Sequence, residues 1–225
     1  MLAIAFAPDV QVLLIKAVVV AVMLLVAFPI HEFSHALAAY RLGDGTARLM
    51  GRLTLDPRAH FDPMGGGLLA LSVLFLGFGF GWAKPTPYNP MNLRGGRWGE
   101  AIVSAAGPIS NFVLAVAGAI PLRWIVLTGM DVPILESFLF FFVQINLVLM
   151  IFNLIPIPPL DGSKVLYAFL DPRTVWQIRP VLEQYGLVIL LGAMILPIFP
   201  GGQTLGDIVF GNLLSPLLYL LTGLR

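Results

Sequence analysis

Cysteine is absent from the chain, so disulfides and thiolate metal ligands are both excluded. Charge is almost as scarce. Asp, Glu, Lys and Arg make up 11% of the 225 residues, where a soluble domain carries about 25%. Apolar residues fill the space, at 58%, and the solvent that suits such a composition is lipid. No basic run occurs and the net charge is +1, so nothing marks a nucleic-acid partner. Three histidines and twelve carboxylates are all that a metal site can draw on. The N-terminus lacks a basic n-region and a small-residue cleavage site. The first apolar segment is therefore expected to remain as a membrane helix rather than to leave as a signal peptide.

Apolar stretches cover 10–41, 66–82, 97–122, 134–155, 184–198 and 206–222. A span takes about 20 helical residues, so four stretches are ample and two are short. The expected fold is an all-α polytopic membrane protein with five or six membrane segments, one domain over 1–225, with the lipid bilayer as its partner. One stretch departs from helical periodicity. Leu49, Leu53 and Leu55 alternate with Arg48, Arg52 and Thr54, which predicts a short strand or hairpin over 47–55 that ends at Asp56-Pro57.

The segment 66–82 is short and glycine-rich, with Arg41, Arg48, Arg52 and Arg58 before it and Lys84, Arg94 and Arg97 after it. Positive charge marks the cytoplasmic side. A re-entrant 66–82 keeps both basic flanks inside and leaves Arg123 in an outer loop. Lys164, Arg173, Arg179 and Arg225 then also fall inside. A spanning 66–82 would put one basic flank outside, so the re-entrant arrangement is expected.

Within the first stretch lies Pro29-Ile30-His31-Glu32-Phe33-Ser34-His35. On a helix, His31 and His35 leave the same face one turn apart, and Glu32 lies about 100° round from them. That pattern suits a zinc ion held by two imidazoles, with the glutamate as general base toward a water whose pKa the metal lowers. Three ionisable residues within one turn of a membrane helix are costly unless they function. Pro29 removes a backbone hydrogen bond just before the site, so a bend is expected there.

A hydrolytic zinc takes three protein ligands and keeps one open position. His60, in a polar loop, and Asp161, in Asn153-Leu154-Ile155-Pro156-Ile157-Pro158-Pro159-Leu160-Asp161-Gly162, are the candidates. Three prolines break the apolar helix before Asp161, and broken backbone at membrane depth is tolerated only where protein or a water-filled cavity covers it. In the re-entrant topology Asp161 returns to the depth of His31 and His35, which favours it. His60 is expected to be a solvated loop residue. Asn111 and Asn153, each in an apolar helix, are candidates to bind substrate or to donate to an oxyanion, or to join helices.

His31-Glu32-x-x-His35, Gly107-Pro108-x-x-Asn111 and Asn153-x-x-Pro156-x-x-x-x-Asp161-Gly162 together resemble the site-2 protease family of intramembrane zinc metalloproteases. The resemblance spans 29–162 and is closest to compact bacterial members. It implies one zinc on His31, His35 and Asp161, Glu32 as base, and Asn153 holding the scissile segment. It also implies a catalytic core over 10–41, 97–122 and 134–170, with accessory helices over 184–222. The substrates implied are transmembrane or membrane-proximal peptides, cut from the cytoplasmic side of a prokaryotic plasma membrane. Neither the PDZ nor the nucleotide-sensing domain of the larger members is expected, nor a helix ahead of the one that bears the zinc motif. A metal transporter would need a polar path to both faces, and only Asp131 and Glu136 lie near the presumed outer side. An inactive helix-binding protein would have no use for an intact Glu32.

Overall fold

Backbone in lipid must satisfy its own hydrogen bonds, and helices dominate the computed structural model, which describes residues 8–72, 75 and 81–224. Helix α1 (Pro8–Val22) passes through a π-helical turn (Met23–Ala27) into α2 (Phe28–Arg41). Pro29 has no N–H and its ring crowds the carbonyl four residues earlier, at residue 25. The widened turn relieves that clash. The short helices α3 (Thr46–Leu49), α4 (Pro57–His60) and α5 (Pro63–Leu71) follow. Then come the long α6 (Arg97–Thr128) and α7 (Pro133–Asn153). Helix α8 (Asp161–Phe169) begins at the candidate ligand, and α9 (Pro172–Ile195) begins well before the expected 184. Helix α10 (Leu205–Asp207), a π-helical segment (Ile208–Leu214) and α11 (Ser215–Thr222) form one continuous rod. Among the described residues five helices are long and apolar enough to cross a membrane: Ala17–Arg41, Arg97–Thr128, Pro133–Asn153, Pro172–Ile195 and Leu205–Thr222.

Helix α6 is the spine. His31, His35 and Leu42 meet Asn111, Val103 and Arg94 in turn, so α2 and α6 run antiparallel. On the other side, Asn111 meets Asn146 and Gly118 lies against Phe142 and Val143, so α6 and α7 are antiparallel too. The main apolar core joins Ala115 and Ala119 of α6 to Val143, Leu147 and Ile151 of α7 and to Val209, Leu214 and Leu218 near the C-terminus.

Two expectations need correction. No strand occurs among the described residues, and Thr46–Leu49 is a helical turn. The Asp44 carboxylate accepts from the Thr46 hydroxyl at 2.7 Å and draws the chain into a turn. Gly51, at φ +68°, then reverses it so that Arg52 N–H donates to the Ala47 carbonyl at 2.8 Å. The alternation sorts the side chains differently from a strand on a soluble core: Leu49 and Leu55 face outward and Arg52 is buried.

The second correction concerns where the first C-terminal helix starts: α9 covers Pro172–Ile195, so the stretch 184–198 that looked short belongs to a 24-residue helix. Arg97 donates to the Leu170 carbonyl at 2.7 Å, which ties the start of α9 to the start of α6. Arg123, near the far end of α6, donates to the Leu220 carbonyl at 2.8 Å. Both α9 and the final rod are long and apolar enough to cross a membrane, and the chain between them, at 196–204, leaves the α-helical path. The final helix thus ends beside Arg123, and Arg225 itself lies outside the described residues.

At the basic end the loops are tied by buried polar groups. Asp44 is fully buried and accepts from Thr46, the Asn92 amide (2.9 Å) and the Asn89 N–H (2.9 Å). Arg52 donates to the carbonyls of Ala59, Lys84 and Pro85, and Lys84 N–H donates to the His60 carbonyl at 2.8 Å. Gly65 lies against Trp82, and Gly81 against Gly65 and Leu69. Residues 73–74 and 76–80, the middle of the 66–82 segment, lie outside the described residues.

Burial pushes the Asp44 carboxyl up, but the Thr46, Asn92 and Asn89 donors more than offset this and hold it below its ordinary value. A depressed folded pKa means stabilisation that is complete above the unfolded value of about 3.9 and is lost as pH falls through the folded one. Asp44→Asn is expected to cost about 1–3 kcal/mol, read as a lower unfolding midpoint in detergent. The gap from wild type should close as pH drops below about 4.

Candidate metal centre

His31 and His35 leave α2 toward α6, and each imidazole is oriented there by its Nδ1. His35 Nδ1 donates to the Val103 carbonyl at 2.7 Å, and His31 Nδ1 donates to Asn111 Oδ1 at 2.6 Å. A neutral ring that donates through Nδ1 keeps a lone pair on Nε2. The two Nε2 atoms face each other at 3.0 Å, and Asp161 Oδ2 lies 3.3 Å from both. With both rings neutral, two lone pairs and a carboxylate at such range suit a shared cation. The separations also match the edges of a tetrahedron whose arms are about 2.0 Å, the zinc–nitrogen length. Two imidazoles, one carboxylate and an open fourth position form a catalytic rather than a structural zinc set.

The three ligand atoms lie within 4.8 Å of one another, and among the described residues theirs is the one group of His, Asp and Glu side chains able to hold a metal. Asp161 reaches it because the prolines at 156, 158 and 159 end α7 early and α8 starts with Asp161 itself. His60 is elsewhere. It is buried, not solvated as expected, at 1% exposure, and its Nε2 donates to the Thr54 carbonyl at 2.8 Å.

Glu32 is buried beside the two histidines. Thr86 N–H donates to Glu32 Oε2 at 2.7 Å, and the Thr86 hydroxyl donates to the Glu32 carbonyl at 2.9 Å. Arg52, which grips the carbonyls of residues 84 and 85, also feels the Glu32 charge: burial lowers its pKa and the carboxylate opposes that. Segment 81–89, without regular structure, is thereby held along α2 at its functional turn.

Asn111 is fully buried, and its nitrogen donates to Asn146 Oδ1 at 3.0 Å. Both ends of its amide are thus engaged within the protein, and neither is free here to meet a substrate. Asn153 is half-buried and its nitrogen donates to the Leu149 carbonyl of its own helix at 3.0 Å.

Three contributors escaped the sequence analysis. Gly107 was visible in the Gly107-Pro108-x-x-Asn111 motif but had no role there. A Cβ at this position would collide with His35 Nε2 and would come within 2.6 Å of His31 Nε2. Asn146 carries the same signal as Asn153, a polar residue in an apolar helix, one heptad earlier. Thr86, between two prolines, carries no signal. Gly107→Ala is expected to strip the protein of zinc, measured by elemental analysis, while its helical circular dichroism persists. His60→Ala should leave the zinc content intact, because His60 lies outside the cluster.

Residues 124–196 match Peptidase family M50. The chain is 38% identical over 182 residues to YwhC of Bacillus subtilis, which carries the name of a zinc metalloprotease, and covers 80% of that protein and 79% of itself. It is 34% identical over 178 residues to Rip2 of Mycobacterium tuberculosis, named likewise, covering 66% of it and 79% of itself. To Rip2 of Mycolicibacterium smegmatis it is 33% identical over 170 residues, covering 63% of it and 75% of itself. No solved structure matches the chain. With its five membrane-capable helices and a donor set that fits zinc, the chain belongs to Peptidase family M50, the site-2 type of intramembrane zinc metalloprotease.

Proposed function

We propose that His31, His35 and Asp161 hold the zinc and that Glu32 is the general base for cleaving peptide bonds in or near transmembrane segments. The observation that carries this is the meeting of His31 Nε2, His35 Nε2 and Asp161 Oδ2 beside the buried Glu32. Bound there, zinc supplies Lewis-acid polarisation of a carbonyl and eases deprotonation of water. Glu32 takes a proton from the attacking water and passes it to the departing amine. With Oε2 engaged by Thr86 N–H, Glu32 works through its other oxygen. Asn153, at the end of α7 before the proline break, holds the scissile segment or donates to the oxyanion after turning from the Leu149 carbonyl. Asn111 supports the ligand His31 instead of the substrate.

The catalytic core runs over 10–41, 97–122 and 134–170. The described ends of the 66–82 segment lie together, through the contacts of residues 81–84 with 60–69, which supports the re-entrant reading over a spanning one. The active site faces the cytoplasm of a prokaryotic cell. Supporting this, Arg41, Arg48, Arg52, Arg58, Lys84, Arg94 and Arg97 gather at the end where α2 stops and α6 starts, while Arg123 lies at the other.

Glu32→Gln is expected to lower cleavage of a generic membrane substrate by about 10²–10⁴-fold with zinc content unchanged. Full activity in that variant would remove Glu32 from the role of base, and loss of zinc would make it a ligand.

A further inference from the structure

His31 and His35 are aimed by different kinds of acceptor. Val103 offers His35 a main-chain carbonyl, which can only accept. Asn111 offers His31 a side-chain amide, whose two ends are alike in size and opposite in hydrogen-bonding sense. With the amide oxygen toward the ring, the proton sits on Nδ1 and Nε2 keeps its lone pair. With the nitrogen forward, the ring would carry its proton on Nε2, and the ligand would be lost. An amide at this position therefore has to be told which way to face.

Asn146 gives that instruction. Its Oδ1 takes the Asn111 amide N–H at 3.0 Å, and its own Nδ2 donates to the Phe142 carbonyl at 2.9 Å. The carbonyl can only accept, so it fixes Asn146, which fixes Asn111, which fixes His31. Asn111 and Asn146 are both at 0% exposure, so bulk water does not compete for either amide. The series runs from the backbone of α7 across α6 to a ring on α2, with every donor and acceptor in one direction.

We propose that Asn146 is a positioning residue for the zinc: acting through Asn111, it holds His31 in the tautomer that leaves Nε2 free to ligate. The proposal rests on the reading of His31, His35 and Asp161 as the zinc ligands. Its worth follows from the general finding that partners behind a ligating histidine control affinity as well as orientation.

The test is zinc affinity of the full chain in detergent, by competition with a chelator of known affinity. Asn146→Leu is expected to weaken zinc binding by about 10- to 100-fold. Asn146→Asp should stay near wild type, because a buried protonated acid can still accept from Asn111 and donate to the Phe142 carbonyl. The discriminating variant is Asn111→Asp combined with Asn146→Leu. A carboxyl group can present an acceptor to His31 from either end, so affinity should return although Asn146 is still missing. A merely structural loss at position 146 would not be rescued in this way. Asn146→Val, also without an acceptor, takes the place of the leucine variant if that one does not fold. Wild-type affinity in the folded Asn146→Leu protein, or failure of Asn111→Asp to restore it, overturns the proposal. Wild-type protein that binds zinc no better than His31→Ala would instead overturn the ligand assignment on which it rests.

Discussion

The approach of α2 to α6 at Gly107 governs the rest of the molecule. With no side chain at that position, the His31 and His35 rings lie directly against the α6 backbone, and from there each ring finds its acceptor one turn away along α6. Any wider spacing would break both Nδ1 bonds together and let the rings turn. The close approach also brings the far side of α6 against α7 at Asn111 and Asn146, so that one interhelical distance sets a second. Only then does the early end of α7 deliver Asp161 to the same point.

In an apolar bundle the buried polar groups are few, and most are finished on a main-chain atom. His35 ends on the carbonyl of Val103, Asn146 on that of Phe142, and Arg52 on three carbonyls of the loops. Main-chain acceptors cannot rotate away, and they stay in place when a neighbouring side chain changes. Half-satisfied polar networks are costly where no water reaches them. Ending most of them on the backbone eases that constraint and makes the geometry rigid at the same time.

The candidate site was largely legible because lipid makes polar residues conspicuous. His31, Glu32 and His35 within one turn of an apolar helix, and Asp161 behind three prolines, each stood out against their surroundings, and in the structure Nε2 of both histidines and Oδ2 of Asp161 lie close together. The same reasoning would have reached Asn146. It could not reach Thr86, whose contribution is a peptide N–H and therefore independent of residue type, nor the collision that makes Gly107 obligatory, which exists only once two helices are in contact. The alternation over 47–55 misled because period-two spacing over so few residues does not by itself decide the backbone. Leu49 and Leu55 turn outward, as suits a lipid interface, while the local bonds of Asp44 and Gly51 decide the backbone. The two C-terminal helices were legible as apolar stretches, but the polar start of α9 at Pro172 was not, and neither was the tie between Arg123 and Leu220, which exists only in the folded chain.

Thr86 has a consequence for how such an enzyme tolerates change. Its grip on the Glu32 carboxylate comes from the peptide group, which nineteen of the twenty amino acids would supply equally well. Drift at this position is therefore nearly invisible to the carboxylate, and an alanine scan would register only the hydroxyl bond to the Glu32 carbonyl. The vulnerable features are those that set the path of the chain: the prolines on either side and the Arg52 guanidinium that anchors residues 84 and 85. The buried Glu32 carboxylate thus depends on residues that never touch it, and changes that bend the path of residues 84–87 would be felt there before changes in side-chain identity.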